Sequence, residues 1–432
     1  VSMISIGGII GSGLFVGSSA AIAATGPAIV VSYAIAGLLI LLVMRMLADM
    51  ALAAPGAGSF TEHIRMGLGP WAGFVSGWLY WIFWVLAIAL EALAGANIIA
   101  TWSPWPIWQI ALALIVALTA LNLLSTRAFG ESEFWLSAIK VAAIILFIGV
   151  GAIAVGGGML ETGRLPANLY AHGGFAPFGP ISLFSGVTAV ILALVGAEII
   201  TIAAAEARAP GNVVARLTTT LIIRVALFYL LSMLLVVAIV PWNAIRPGDS
   251  PFALALDAVG APRVSLMMNL VIIVAVLSCM NSGIYVCSRV LRSLAARGEA
   301  PRAFQAIGGR GVPVRSILVG AGAGALAVLA SAYSPERLFA MLVNATGMVM
   351  LIVYMLLVLA HIAYVRRGGA TPLPAFVAPM VLLAMTAVIV SMMATPALAS
   401  QAYAGLGSTA LLVMFYHVRA RAGRADAPSA AM

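Results

Sequence analysis

Long apolar stretches recur along the whole chain, separated by short breaks that contain glycine, proline and arginine. A helix needs roughly 20 predominantly apolar residues to cross the ~30 Å hydrocarbon core of a bilayer. The pattern therefore predicts an all-α integral membrane protein with about twelve transmembrane helices. The predicted spans are residues 3–24, 27–53, 70–101, 107–124, 133–156, 181–206, 217–241, 264–294, 316–333, 338–365, 373–395 and 401–418.

Spans 1 and 6 differ from the others because small residues and glycine interrupt an otherwise apolar run. Span 1 contains IGGIIGSGLF at 6–15, and span 6 contains LALVGAE at 192–198. Interrupted helices at corresponding positions of two repeats indicate the binding site of a transporter. Five spans separate the two breaks, which fits a 5+5 inverted repeat of spans 1–5 and 6–10.

The chain is interpreted as a single transmembrane domain over residues 1–432. Its parts are a ten-helix core at about 3–365, two further helices at about 373–418, and a short C-terminal tail at 419–432. No cleavable signal peptide precedes the first apolar segment, which is interpreted as a true span.

Composition excludes a soluble fold, because 63% of the residues are hydrophobic and only 8% are charged, against roughly 25% charged residues in soluble domains. The formal charge is +9, and the arginines are distributed unevenly between the two sides of the predicted topology. Four arginines fall on one side of the alternating spans, Arg164, Arg246, Arg263 and Arg337, and fifteen on the other. By the positive-inside rule this predicts a cytoplasmic (inner) membrane protein with both termini in the cytoplasm, surrounded by lipid and without a nucleic-acid partner. The fifteen are Arg65, Arg127, Arg208, Arg216, Arg289, Arg292, Arg297, Arg302, Arg310, Arg315, Arg366, Arg367, Arg419, Arg421 and Arg424.

Gly11, Ser12 and Gly13 lie at the predicted break of span 1. The helix that follows a break begins with unpaired N–H groups and the positive end of its dipole, which favour a carboxylate. Carbonyl groups exposed where spans 1 and 6 unwind could accept the amino group of the same small zwitterion. The alternative is close packing, because glycine lets transmembrane helices approach each other.

Three ionisable residues lie inside predicted spans. Lys140 is the only lysine in the chain and lies within the apolar run of span 5. An ionisable group at that depth is by default a functional hypothesis, here proton coupling, although a lysine can also extend its stem to the interface. Glu91 in span 3 and Glu198 in span 6 could carry a proton or form a structural hydrogen bond. For Glu198, backbone groups freed by the adjacent break are possible partners.

Other polar residues have less specific interpretations. Arg45 and Asp49, four residues apart, favour a local ion pair. Ser278, Asn281 and Ser282 give span 8 a polar face suited to lining a cavity or to bonding across helices. The four histidines lie in different segments without an adjacent acid or nucleophile motif, so neither an enzyme nor a metal or cofactor site is predicted, and the proton is the expected coupling ion. They are His63, His172, His361 and His417.

Several stretches resemble the amino acid permeases of the amino acid, polyamine and organocation superfamily, and the likeness covers nearly the whole chain. The Leu90-Glu91-Ala92 step and the GAEIITIAAAE stretch are most similar to 4-aminobutyrate permeases. The stretches are IGGIIGSGLF (6–15), MRMLADMA (44–51), GPWAGFVSGWLYWIFW (69–84), FGESEFWLSAIKVAAIILF (129–147), GAEIITIAAAEARAP (196–210), SCMNSGIYVCSRVLRSLAARGEAP (278–301) and GVPV (311–314).

The resemblance implies a LeuT-like fold and proton-coupled symport of an amino acid, with 4-aminobutyrate as a candidate. An exchanger of the same fold, or a permease for another amino acid or amine, is the alternative. It also implies that Lys140 takes the place that sodium holds in sodium-coupled relatives, and that Glu198 responds to protons. Members usually have a polar segment with an Arg-His pair before the first break, so such a segment is expected before Val1. The residues that the resemblance places around the substrate are Ile9, Gly11, Ser12, Gly13, Leu192, Val195 and Gly196, with Lys140, Glu198 and Glu91 for proton coupling.

Overall fold

A computed structural model describes residues 10–54, 56–57, 59–124, 129–157, 164–198, 211–308 and 311–425. Within these ranges the regular secondary structure is helical and contains no strand. Each of the twelve predicted spans coincides with helix in the part of the chain that is described.

The described part of the first half contains ten α-helices. In this part, span 1 is formed by α1 and α2, span 2 by α3, span 3 by α5, span 4 by α6, span 5 by α7, and span 6 by α9 and α10. The bounds are α1 Ser12–Phe15, α2 Gly17–Thr25, α3 Ile29–Ala53, α4 Phe60–Leu68, α5 Pro70–Ala100, α6 Ile107–Leu124, α7 Phe129–Gly156, α8 Arg164–Tyr170, α9 Ile181–Ser185 and α10 Val187–Leu194.

The second half contains spans 7 to 12, with one additional short helix, α12, between spans 7 and 8. The bounds are α11 Gly211–Ile239, α12 Pro251–Ala258, α13 Pro262–Ala296, α14 Val314–Leu329, α15 Pro335–Arg366, α16 Val377–Ala394 and α17 Pro396–Ala425. Short 3₁₀ turns occur at Gly26–Ala28, Trp242–Ala244, Arg302–Gln305 and Ala330–Ala332.

Length and composition agree with a membrane protein. Within the described ranges, nine helical stretches are long and apolar enough to cross a bilayer, and the first of them, Ser12–Ala53, includes both span 1 and span 2. Ile181–Leu194 and Ile223–Ile239 are shorter apolar helices at spans 6 and 7. The last part of predicted span 6, residues 199–206, lies outside the described residues.

Helices pack against their counterparts five spans later. Span 1 packs on span 6, span 2 on span 7, span 3 on span 8, and span 4 on span 9. This pairing is what two repeats related by a two-fold axis would produce. Span 10 packs on spans 3 and 6, which brings it to the centre of the bundle.

Glycine sets two of the tight connections. Gly26, with φ of 65°, precedes Pro27 in the turn between spans 1 and 2. Gly69, with φ of 97°, ends α4, and Pro70 begins α5. A positive φ suits glycine and a proline suits the first turn of a helix, so each pair reverses the chain without strain.

Three short helices were not predicted from the sequence: α4, α8 and α12. Helix α4 is amphipathic rather than apolar, so it has no span-like signal. Its polar side is held by ion pairs, from Arg65 to Glu299 at 2.7 Å and from Arg297 to Glu62 at 2.7 Å. These pairs join α4 to the end of span 8.

The same contacts define one end of the molecule, here called the arginine-rich end. Arg367 donates to the carbonyl of Met66 at 3.1 Å, and Arg419 bonds the carbonyl of Gly298. Arg65, Arg297, Arg367 and Arg419 therefore meet around α4 and the segment after span 8. Arg246 and Arg337 lie at the opposite, arginine-poor end, whereas Arg127, Arg208 and Arg310 lie outside the described residues.

Candidate functional site

The helix of span 6 is interrupted at Val195 and Gly196. Val195 is extended, with φ of −64° and ψ of 146°, and Gly196 has φ of 108°. A side chain at that φ would be strained, so the glycine permits the break. The amide of Val195 donates to the carbonyl of Leu192 at 3.4 Å, which leaves that carbonyl a second lone pair.

Glu198 occupies the centre of the span 6 break. Its side chain is fully buried. Oε2 accepts the N–H of Gly196 at 3.0 Å and the hydroxyl of Tyr354 at 3.0 Å, while Oε1 accepts the hydroxyl of Tyr80 at 3.5 Å. Tyr80 belongs to span 3 and Tyr354 to span 10, so one carboxylate connects three helices.

Span 1 begins in the described chain with Ile10 and an extended Gly11, at φ −122° and ψ −164°, and becomes helical at Ser12. The helix deviates again at Val16, where φ is −125° and ψ is −41°. Ile9 and the preceding residues lie outside the described residues, so the predicted role of the Ile9 carbonyl stays a prediction.

The interrupted segments of spans 1 and 6 contact each other directly. A Cβ atom placed on Gly13 would lie 2.7 Å from the Cα atom of Ala193. Gly13 is therefore required for close packing of the two backbones, which is the alternative the sequence left open. Its role toward a substrate carboxylate remains a prediction.

Lys140 is fully buried and does not extend to the interface. Its ammonium donates to the hydroxyl of Ser278 at 3.2 Å and lies 3.8 Å from the sulfur of Cys279. The same sulfur lies 3.8 Å from the carbonyl oxygen of Ile10. Cys279 of span 8 therefore links Lys140 to the break of span 1.

Glu91 completes this cluster from span 3. A Cβ atom on Gly11 would lie 3.5 Å from Oε1 of Glu91. The carboxylate also lies beside Ser12 and within electrostatic reach of Lys140. Neither the Ser12 hydroxyl nor Oε2 of Glu91 has a hydrogen-bond partner among the described residues. Buried polar atoms are normally paired, so these two are suited to a polar ligand.

Two cavities flank this centre without including its residues. At the arginine-poor end, a cavity of about 710 Å³ is lined by Asn97, Asp249, Asp257, Glu336 and Arg337, among others. Burial, and to a lesser degree the charge of Glu336, raises the pKa of the Asp249 carboxyl. At the arginine-rich end, a cavity of about 490 Å³ is lined in part by Met50, Ala53, His63, Tyr364 and Arg367.

Closure at the arginine-poor end involves the segment between spans 7 and 8. The N–H of Gly248 donates to Ser19 of span 1 at 2.9 Å, and Asn97 of span 3 donates to the carbonyl of Gly248 at 3.4 Å. Phe252 of α12 is fully buried against Phe15, with ring centroids 5.1 Å apart. Ser12, Lys140 and Glu198 are each fully buried, so both ends are closed in this structure.

The structure therefore brings the predicted site residues into two neighbouring groups. Gly11, Ser12, Glu91 and Lys140 meet at the break of span 1, and Val195, Gly196 and Glu198 meet at the break of span 6. Tyr80 and Tyr354 were missed by the sequence reasoning. Tyr80 lies in the aromatic run 78–84, where spacing alone could not identify the one ring that faces the centre. On the polar face of span 8, Asn281 bonds Asn122 of span 4 at 2.7 Å.

Comparison with known proteins agrees with this arrangement. The family described as amino acid permease matches residues 1–418. The chain is 43% identical over 366 residues to the gamma-aminobutyric acid permease of Bacillus subtilis, covering 84% of this chain and 78% of the relative. It is 42% identical to a probable GABA permease of Pseudomonas aeruginosa, covering 87% and 80%. It is also 36% identical to the aromatic amino acid transport protein AroP of Escherichia coli K12, covering 93% and 90%.

Among solved structures, the chain is similar to mutant forms of the manganese transporter of Eremococcus coleocola. For one of them the TM-score is 0.60 with 11% sequence identity, and the match covers 96% of this chain and 93% of that chain. At this identity the likeness concerns the fold alone, which is the LeuT-type transporter fold with interrupted spans 1 and 6. It is a transporter fold and not that of an enzyme. Together with the match over residues 1–418, these relationships establish that the chain belongs to the amino acid permease family.

Proposed function

We propose that this amino acid permease is a proton-coupled symporter that takes up a small zwitterionic amino acid across the cytoplasmic membrane, with 4-aminobutyrate as the first candidate substrate. The observation on which the proposal chiefly depends is the full burial of Lys140 beside the break of span 1. The similarity to the gamma-aminobutyric acid permease of Bacillus subtilis and to a probable GABA permease supports the candidate substrate.

The substrate carboxylate is expected at the break of span 1. The Ser12 hydroxyl and the backbone N–H groups at Gly11, Ser12 and Gly13 are its proposed donors. The amine would bind carbonyl oxygens at the two breaks, including those of Ile9, Leu192 and Val195. The extended conformation of Val195 supports this, because its carbonyl lies outside the regular helix.

Proton coupling is proposed to involve Lys140 and Glu91. A lysine whose ammonium replaces a metal cation can supply positive charge in one state and release a proton in the other. Glu91 lies within electrostatic reach of that ammonium, so the two groups can share or exchange a proton. Glu198 is a second candidate for proton binding, since it joins spans 3, 6 and 10. No metal or organic cofactor is part of the proposal.

Replacing Lys140 tests coupling directly. Lys140→Met should abolish concentrative, pH-driven uptake into proteoliposomes while leaving binding or exchange measurable. Lys140→Arg is the matched variant, because it retains the positive charge but does not release a proton. If the role is coupling, both variants should lose pH-driven accumulation. Full accumulation by Lys140→Met would contradict the proposal, and accumulation by Lys140→Arg alone would reduce the role of Lys140 to a fixed charge.

Obligate exchange is the alternative mode of transport. An exchanger would accumulate labelled substrate only in vesicles that contain unlabelled amino acid. A symporter accumulates it in vesicles without internal substrate when a pH gradient is applied. An uptake or thermal-shift screen of the amino acids together with 4-aminobutyrate would identify the substrate.

Orientation follows from the arginine distribution, which supports placing the arginine-rich end and both termini in the cytoplasm. A reporter fused after residue 425 that is active only in the cytoplasm would test this. An inactive cytoplasmic reporter, together with activity of a second reporter that works only outside the cytoplasm, would reverse the proposed orientation.

A further inference from the structure

His361 is a buried histidine near the arginine-rich end of span 10. Its side chain is 2% exposed, and neither ring nitrogen has a hydrogen-bond partner among the described residues. Its Nε2 atom lies 3.7 Å from Oδ2 of Asp49 on span 2. A buried imidazole with two unpaired nitrogens is unusual, because buried polar groups are normally hydrogen-bonded. The distance is too long for a hydrogen bond and short enough for an ion pair.

Asp49 is positioned to respond to a charge on that ring. It is 8% exposed. Its Oδ2 atom accepts the hydroxyl of Thr371 at 2.7 Å, and its Oδ1 atom lies 3.8 Å from Nε of Arg45. The carboxylate therefore already joins span 2 to the segment after span 10. It retains capacity for a further donor from span 10 itself, because a carboxylate has about four acceptor positions.

The other charged and titratable groups in this region leave Asp49 as the relevant partner. On its own helix, His361 faces Tyr364, with ring centroids 6.0 Å apart. From α4, His63 lines the adjoining cavity, and burial lowers its pKa. Arg367 lines the same cavity and donates to Met66. Among the described residues, Asp49 is the one carboxylate within 4 Å of His361.

The cavity at the arginine-rich end comes close to the histidine. Tyr364 contacts the His361 ring and lines this cavity of about 490 Å³. His361 is thus within reach of the compartment at that end.

We propose that His361 and Asp49 form a proton-operated latch at the arginine-rich end. The protonated imidazolium pairs with Asp49 and holds spans 2 and 10 together, whereas the neutral ring leaves that end free to open. Opening separates the pair, so the closed state binds the proton more tightly, and by linkage the proton favours closure. Acid at that end therefore keeps the permease closed there. If the end is cytoplasmic, as proposed above, a proton symporter would slow as the cytoplasm acidifies.

The test measures opening and needs no substrate. Met50 lines the cavity and is 4% exposed, whereas Ala53 lines the same cavity and is exposed. The labelling rate of Met50→Cys by a thiol reagent, divided by that of Ala53→Cys at the same pH, cancels the pH dependence of thiol chemistry. Peptide-level mass spectrometry separates these sites from Cys279 and Cys287. In otherwise unchanged protein the ratio should fall about fivefold from pH 7.5 to pH 5.5, which corresponds to ~1 kcal/mol between the two states.

His361→Gln should make this ratio independent of pH, and Asp49→Asn should do the same from the other side of the latch. His63→Gln, a second histidine at the same cavity, is the matched control and should retain the pH dependence. A ratio that does not change with pH in the parent protein would overturn the proposal without any variant. So would a pH dependence that survives His361→Gln and Asp49→Asn, or one that is lost with His63→Gln.

The outcome is separable from that of the symport proposal. Lys140→Met should keep the pH-dependent labelling ratio even though it lacks coupled uptake. If uptake proves to be exchange but the ratio still depends on His361, the latch stands and the coupling proposal fails.

Discussion

Glu198 shows what a single residue can contribute to this permease. Its carboxylate accepts hydrogen bonds from spans 3 and 10 and from the interrupted backbone of span 6. Each hydrogen bond to a charged group contributes roughly 1.5–3 kcal/mol to stability. Glu198 therefore adds a few strong hydrogen bonds to the close packing of spans 3, 6 and 10.

Removing one of these bonds should change transport more than folding. We expect Tyr354→Phe to lower uptake about tenfold, because the ring is kept and only the 3.0 Å bond to Glu198 is lost, a loss of the order of ~1.4 kcal/mol. The pH profile of uptake should also shift, since the carboxylate loses a donor. Tyr403→Phe, an exposed tyrosine on span 12, is the control and should behave as the parent protein. Equal uptake by both variants would exclude a role for the Tyr354 hydroxyl.

Some of this site could be predicted residue by residue. Glu198 and Lys140 were found because an ionisable group inside an apolar run is conspicuous in one sequence. Tyr80 and Tyr354 were not found, because a tyrosine is ordinary in such a run and the sequence does not state which helices are neighbours. The two tyrosines are 274 positions apart in the sequence, and their hydroxyls meet at one carboxylate only in the folded protein.

At the scale of whole helices, glycine determines how closely the interrupted spans are packed. Gly13 lies against the backbone of Ala193, and Gly347 of span 10 lies against Thr188 of span 6. Small residues let transmembrane helices approach until their backbones touch. The helical segment of span 6 before its break is thus confined between spans 1 and 10.

Adding one methyl group should reveal this confinement. A Cβ atom on Gly347 would overlap the carbonyl oxygen of Thr188, at 1.9 Å, so spans 6 and 10 would have to separate. Gly347→Ala should reduce stability by about 1–3 kcal/mol, seen as a lower melting temperature of the purified protein. Gly322→Ala is the matched control, because that helical glycine is exposed and has nothing within 4 Å. It should leave the melting temperature unchanged or slightly higher; a similar loss in both variants would rule out the packing explanation.

The helical plan was predictable to a large extent because hydrophobic length is a strong signal in a bilayer protein. The predicted spans 107–124 and 27–53 nearly coincide with α6 and α3. Helix α4 was not predicted. Its stability depends on distant partners such as Glu299, which bonds Arg65 of α4 and lies 234 residues away from it in the sequence. The break of span 6 was predicted from Gly196, but the second deviation of span 1, at Val16 beside Gly17, was not predicted.

For the whole molecule, the important property is that closure is built at both ends by different means. At the arginine-poor end, the backbone of Gly248 is bonded to Ser19 and Asn97. At the arginine-rich end, side chains make the connections, as in the Thr371 to Asp49 hydrogen bond and the Arg65 to Glu299 ion pair. Because different contacts close the two ends, one end can open while the other stays closed, as alternating access requires.

Weakening the first closure should expose the centre from that side. Ser19→Ala leaves the buried N–H of Gly248 without its acceptor, which costs about 1–3 kcal/mol in the closed state. We expect Cys279, a partly buried cysteine beside Ile10, to be labelled about fivefold faster by an impermeant reagent added at the arginine-poor side. Ser408→Ala, which removes a hydroxyl bonded only within span 12, should have no effect. Unchanged labelling in the Ser19 variant would mean that Gly248 does not contribute to closure.

The separation of the two cavities by fully buried side chains has a consequence for the cell's energy supply. A membrane that contains thousands of such permeases keeps its voltage and ion gradients only if none of them forms an open pore, even briefly. Lys140, Ser12 and Glu198 are out of contact with solvent, so within the described part of the chain these three side chains line no water-filled path between the cavities. A permease closed in this way does not dissipate the ion gradient, and the gradient is used only when a complete transport cycle takes place.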